Sequence, residues 1–169
     1  MRIIVSDTSC LIDLRKVELL ETLLRLPYEF LIPNTLFDQE LVKFSAAQRK
    51  ALLRGGLKVI DLPGERVSRA QTVIRQKPRL SVHDAFAFVL AESHKGCVLL
   101  SGDAALRTLA DECAIEVHGV LWLIDELFRH KLISAATARD ALKSFADDLS
   151  MRLPKRELTA YLKRYEALA

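Results

Sequence analysis

From Arg2 to His118, short apolar runs of strand length alternate with longer segments of helical periodicity. This alternation constrains the fold more than any other feature. Each strand–helix–strand step makes a βαβ unit, and successive units build a parallel sheet with right-handed crossovers. The expected strands are Arg2–Ser6, Tyr28–Ile32, Leu57–Leu62, Cys97–Ser101 and Ile115–His118. Between them the spacing predicts a helix over Ser9–Leu26 and, after Pro33, one carrying Leu36, Phe37, Glu40, Leu41 and Phe44. Further helices are predicted over Ala46–Arg54, Glu65–Gln76, Ser81–His94 and Ala104–Cys113. Gly55-Gly56, Pro78 and Lys95-Gly96 supply the stops. Past Gly119 the pattern is helical throughout: Val120–Lys131, Ala135–Leu149 and Pro154–Ala167.

The predicted class is α/β around a central parallel sheet, in one domain with a small helical appendage. At 169 residues, 50% hydrophobic and 28% charged, the chain has ample material for one packed core. The longest apolar runs, such as Phe86–Ala91, are far shorter than the roughly 20 residues that span a bilayer. Arg2 leads directly into a strand, so no signal peptide is expected. Cys10, Cys97 and Cys113 are odd in number and lack CxxC spacing. They are expected to be buried free thiols in a reducing cytoplasm, not disulfides or zinc ligands.

Four acids stand where strands end or helices begin or turn inward: Asp7, Glu40, Asp84 and Asp103. Asp7 and Asp103 follow the first and fourth strands, and in an open parallel sheet ligands bind outside the carboxyl ends of strands. Each acid also has an ordinary explanation. Asp7 and Asp103 fit helix N-caps. Ser81-Val82-His83-Asp84 fits a capping box, and Glu40 fits a solvent-facing helix position. Against this, Asp84 opens a helix that is apolar on nearly every side, and strand-end acids recur after two separate strands. Two carboxylates about 5 Å apart repel by roughly 3 kcal/mol at an effective dielectric near 20. Such a cluster calls for a cation, and an all-oxygen ligand set suits Mg²⁺ or Mn²⁺.

The net charge is +3, with pI near 8.8. Arg66, Arg69, Arg75, Lys77 and Arg79 cluster with only Glu65 against them in sequence. An acidic pocket in a basic protein suits a polyanion held through a metal, with Arg66, Arg69, Arg75 and Arg79 as candidate phosphate contacts.

These segments resemble the PIN-domain nucleases, particularly the VapC-like toxins of toxin–antitoxin pairs. The resemblance is carried by Ile4-Val5-Ser6-Asp7-Thr8-Ser9, Ile32-Pro33 leading to Gln39-Glu40-Leu41, and Leu80-Ser81-Val82-His83-Asp84-Ala85. Leu99-Leu100-Ser101-Gly102-Asp103, leading to Leu106-Arg107, completes it. It implies a three-layer α/β/α fold with a PIN-like domain over 1–130 and a helical C-terminal extension over 131–169, and with it a metal-dependent endoribonuclease, a homodimer and a small inhibitory antitoxin whose tail enters the acidic pocket. It further implies that Asp7, Glu40, Asp84 and Asp103 bind the metal, with Thr8 or Ser9 placing a hydroxyl near metal or phosphate. Many relatives carry a further acid or Asn shortly after the Gly-Asp pair, but here Ala104, Ala105 and Leu106 follow.

Other chemistries fit less well. An aspartyl-phosphate phosphatase wants a second Asp two residues after Asp7, where Ser9 stands. A nucleotide-cofactor protein wants GxGxxG or GxxxxGK[ST], and neither is present. A PIN-like module that binds RNA or protein without cutting remains the alternative.

Overall fold

The computed structural model describes residues 1–169. Five strands, β1 (Arg2–Ser6), β2 (Tyr28–Pro33), β3 (Lys58–Ile60), β4 (Val98–Leu100) and β5 (Glu116–His118), form one sheet in the order β3-β2-β1-β4-β5. Every pairing is parallel. The chain moves outward from β1 to β3 on one side, then crosses back to β4 and β5 on the other. The strand order therefore reverses between β1 and β4, where Val5 pairs with Leu99. Ile4, Val5, Val98, Leu99 and Leu100 are fully buried, as a parallel sheet covered on both faces requires.

The sheet connections are α1 (Thr8–Lys16), α2 (Leu20–Leu23), α3 (Asn34–Gln39), a 3₁₀ turn at Leu41–Lys43, and α4 (Ala46–Arg54). They continue with α5 (Gly64–Gln76), α6 (Val82–Glu92) and α7 (Ala104–Glu112). α6 is the central covering helix: it packs on β1, β2 and β4, backed by α5 and flanked by α7. Its Phe88 and Ala91 are buried, as its all-round apolar sequence predicts. The C-terminal helices are α8 (Val120–Arg129), α9 (Ala135–Asp147) and α10 (Lys155–Leu168). α8 packs on β5, α1 and α2, while α9 and α10 pair with each other. The fold is the expected α/β/α sandwich, and no helix is long and apolar enough to cross a membrane.

Three expectations need correction. The helix over Ser9–Leu26 is broken: α1 ends at Lys16, and Glu18 takes φ 59°. Glu18 N–H donates to Arg15 O and Leu19 N–H to Leu14 O, at 3.2 and 3.0 Å, a Schellman cap that turns Leu19 into the core. Glutamate occupies the position where glycine is usual, so the sequence carried no stop signal. The helix through Glu40 also stops early, at Gln39, with Glu40 as its C-cap. Cys10 and Cys97 are buried free thiols, but Cys113 is exposed, because it caps the end of α7 outside the core.

Candidate active site

Asp7 stands at the reversal of strand order. Its backbone N–H donates to Leu100 O at 3.0 Å, extending the β1–β4 ladder by one residue. Its side chain caps α1 and is only 5% exposed. Oδ1 accepts the Ser9 N–H at 3.0 Å and the Ser9 hydroxyl at 2.6 Å. No arginine or lysine pairs with it. Burial pushes its carboxyl up to about 6, against the pull of hydrogen bonds from Ser101 and Ser9. The negative charge of Asp84 pushes in the same direction, which places the two carboxylates in one electrostatic neighbourhood.

Asp103 reaches the same edge from β4. It caps α7, with Oδ1 accepting Leu106 N–H at 2.8 Å, while its own N–H donates to Ser101 Oγ at 3.0 Å. Ser101 is fully buried and thus links Asp7 to Asp103. A second link runs through Ser9 Oγ, which accepts Gly102 N–H at 3.1 Å. Both strand-end acids lie on one edge, as the alternating pattern predicts.

Asp84 forms the expected capping box: Oδ2 accepts Ser81 N–H at 2.9 Å, and Ser81 Oγ accepts Asp84 N–H at 3.0 Å. Capping does not consume the acids. Asp84 Oδ1 and Asp103 Oδ2 receive no hydrogen bond from the protein, so each carboxylate keeps one oxygen for another partner. Glu40 joins through His83, whose Nδ1 lies 3.8 Å from Glu40 Oε1 and whose Nε2 is hydrogen-bonded to Gln39 Oε1 at 2.9 Å. The C-terminal end of α3 is thereby held to the first turn of α6.

The basic candidates divide. Arg69 forms a fork on Glu92 at 2.9 and 3.2 Å, and Arg66 approaches the same carboxylate at 3.8 Å. Glu92 lies eight residues beyond Asp84 on α6, about 12 Å along the helix axis. The acid opposing this cluster comes from α6 rather than from Glu65, and it holds Arg66 and Arg69 at the end of α6 away from Asp84. Arg75 is exposed near the other end of α5, its guanidinium directed at Thr72. Arg79 lines a cleft of about 540 Å³ between the α5–α6 turn and α7, with Asp103 on its rim. Of the two candidate hydroxyls, that of Ser9 serves Asp7 and Gly102, and Thr8 is buried at the first position of α1. The sequence reading assigned no role to Ser101 or to Arg107, whose Nη1 donates to Ser101 O at 3.2 Å. Ser101 directly follows β4, one residue past Leu100, the register partner of Ser6, and that place at a strand end was its only signal.

The donor set can be tested against a divalent ion. Nowhere do three or more His, Cys, Asp or Glu side chains form a group that could hold a metal as they stand. Mg²⁺, however, is usually held by one or two carboxylates, with waters and substrate phosphate completing its octahedron. A buried carboxylate lifted to about 6, without a cationic partner and coupled to a second acid, fits that need.

A family model described as PIN domain matches residues 3–167, which takes in the three C-terminal helices as well as the sheet. No curated protein matches the chain. With its parallel sheet, its acids on the carboxyl edge and this match over nearly its whole length, the chain belongs to the PIN-domain family.

Proposed function

We propose that the protein is a Mg²⁺- or Mn²⁺-dependent endoribonuclease that hydrolyses RNA phosphodiesters. PIN domains are generally nucleases, so the fold supports hydrolysis of nucleic acid. The observation that carries the finer reading is Asp7: buried, unpaired with any cation, and coupled to Asp84 at the reversal of the sheet. Asp7 and Asp84 would hold the ion, with the free oxygens of Asp103 and Glu40 within the same edge. Bound there, a divalent ion supplies Lewis-acid polarisation of the phosphodiester and a more acidic water. Ser9 and Ser101 keep the Asp7 carboxylate in one orientation, and the walls of β1 and β4 exclude bulk water behind it. The Gln39–His83 contact holds the end of α3 to the first turn of α6, with Glu40 against His83.

The test is incubation of the protein with single-stranded and structured RNAs in Mg²⁺, Mn²⁺ or chelator, beside Asp84→Asn. Cleavage that needs the metal and is lost in the variant supports the reading; equal cleavage by parent and variant sinks it. The toxin role, the small antitoxin and the homodimer that the resemblance implies extend this proposal. Growth arrest on expression, relieved by Asp84→Asn, checks the toxin role, and sedimentation checks the dimer.

One observation favours a second reading, a PIN-like module that binds RNA or protein without cutting: no three side chains are gathered as a finished metal site. A calorimetric Mn²⁺ titration separates the two, since a module without a metal site gives no heat of binding at micromolar to millimolar concentrations.

A further inference from the structure

On the far side of the Asp103 loop from Arg79, a second cleft of about 460 Å³ opens between α1, α7, α8 and α10. Its size falls within the roughly 300–1,000 Å³ of small-ligand sites. It adjoins the candidate active site directly. Cys10 and Asp13 on α1 line it, and Cys10 lies about one helical turn from Asp7. Gly102, which hydrogen-bonds the hydroxyl that Asp7 accepts, forms part of the same wall.

The walls are chemically mixed. Arg107 and Arg152 are both without a carboxylate partner, and Asp13, Asp111 and Glu157 line the same space. Trp122, stacked on both His118 at 4.5 Å and Tyr28 at 6.4 Å, and Tyr161, with the Arg164 guanidinium 4.7 Å from its ring centre, give this wall its aromatic part. Arg107 is held in place. One donor is fixed by Ser101 O, and its Nη1 passes so near Gly119 that a Cβ there would lie 3.0 Å away. The remaining guanidinium donors have no partner in the protein. A bare anion would be repelled by Asp13 and Glu157, and an apolar ligand would strand the arginines. A nucleobase has a ring that can pack against the aromatic wall and an edge of mixed donors and acceptors for the charged groups.

We propose that this cleft receives the base of the nucleotide next to the scissile phosphate of a single-stranded RNA, and so sets sequence preference at that position. This rests on the endoribonuclease reading above. Sequence-specific recognition of RNA proceeds by splaying single-stranded bases onto aromatic and arginine surfaces and reading their edges. The cleft lies one turn from Asp7, on the edge where the phosphodiester would be cut.

The experiment is cleavage of a randomised single-stranded RNA pool with Mn²⁺, followed by sequencing of the cut ends. It compares the parent with Arg152→Gln, Glu157→Gln and Arg107→Gln. The expected parent preference is strongest at one position beside the cut, and each variant relaxes or changes it there by fivefold or more, leaving other positions alone. Arg152 and Glu157 are exposed, so those two variants decide the matter even if Arg107→Gln, which loses the Ser101 contact, folds poorly. A parent that cuts without base preference, or variants that keep its preference, overturn the cleft proposal and leave the nuclease standing. A parent that neither cuts RNA nor binds it in fluorescence anisotropy overturns both.

Discussion

The Ser9 hydroxyl donates to Asp7 Oδ1 at 2.6 Å and at the same time accepts the backbone N–H of Gly102. It therefore joins the loop after β1 to the loop after β4. Ser9→Ala removes both bonds. It leaves the Gly102 N–H short of an acceptor and the Asp7 carboxylate with one donor fewer, at a cost of about 1–3 kcal/mol. The Asp7 pKa should rise further, because a bond that stabilises its charged form is gone. Thermal denaturation measures the first effect and NMR titration of the carboxyl the second. RNA cleavage should fall at least tenfold at neutral pH.

Asp7→Asn should stabilise the metal-free protein. The Asp7 carboxyl stands at about 6 in the fold against 3.8 for the reference value, so the folded state binds more protons than the unfolded one between those values. Stability from this group is highest below pH 4 and declines as pH rises through 6, by at most about 3 kcal/mol. The parent and Asp7→Asn should thus melt at similar temperatures near pH 4 and separate by up to roughly 6–12 °C at pH 7 in chelator. A gap that shrinks as pH rises contradicts the assignment. The same variant should lose RNA cleavage.

Arg66 and Arg69 are occupied by Glu92. Arg69→Gln should leave RNA affinity and its salt slope within error of the parent, at a cost of about 0.2–1 kcal/mol in stability for a partly exposed pair. Arg79→Gln, whose side chain lines the cleft beside Asp103, should weaken binding and reduce the slope by about 0.7 for a single strand. Anisotropy titrations at three or more salt concentrations give both numbers.

Glu18 and Lys131 both take φ 59° at the ends of α1 and α8, and each cap is completed by the apolar residue that follows. A side chain in that left-handed conformation costs roughly 1–2 kcal/mol that glycine avoids. Glu18→Gly and Lys131→Gly should each stabilise by about 0.4–1 kcal/mol after the greater unfolded-state freedom of glycine is counted. Urea denaturation at unchanged m value is the measurement.

The strands, their parallel pairing and the covering role of α6 were legible because periodicity reports burial directly: Val98, Leu99 and Leu100 face no water on either side. The capping box of Ser81 with Asp84 was legible too, as a reciprocal pair at fixed spacing. The break at Glu18 was not, because the Schellman turn there depends on Leu19 finding the core, a tertiary contact. For the candidate site, the sequence indicated which edge the acids share but not how their oxygens are divided between caps and free positions. Nor could it place Glu92 against Arg69. Those residues are 23 apart, and only the packing of α5 on α6 brings them together.

Ser9 and Gly102 are 93 residues apart in the chain. A ribosome must therefore release more than half of the polypeptide before the β4 loop can close on the β1 loop. Any nascent chain still short of Asp103 holds Asp7 without the neighbours that bury it. Chemistry that depends on that burial stays silent until synthesis has passed this point.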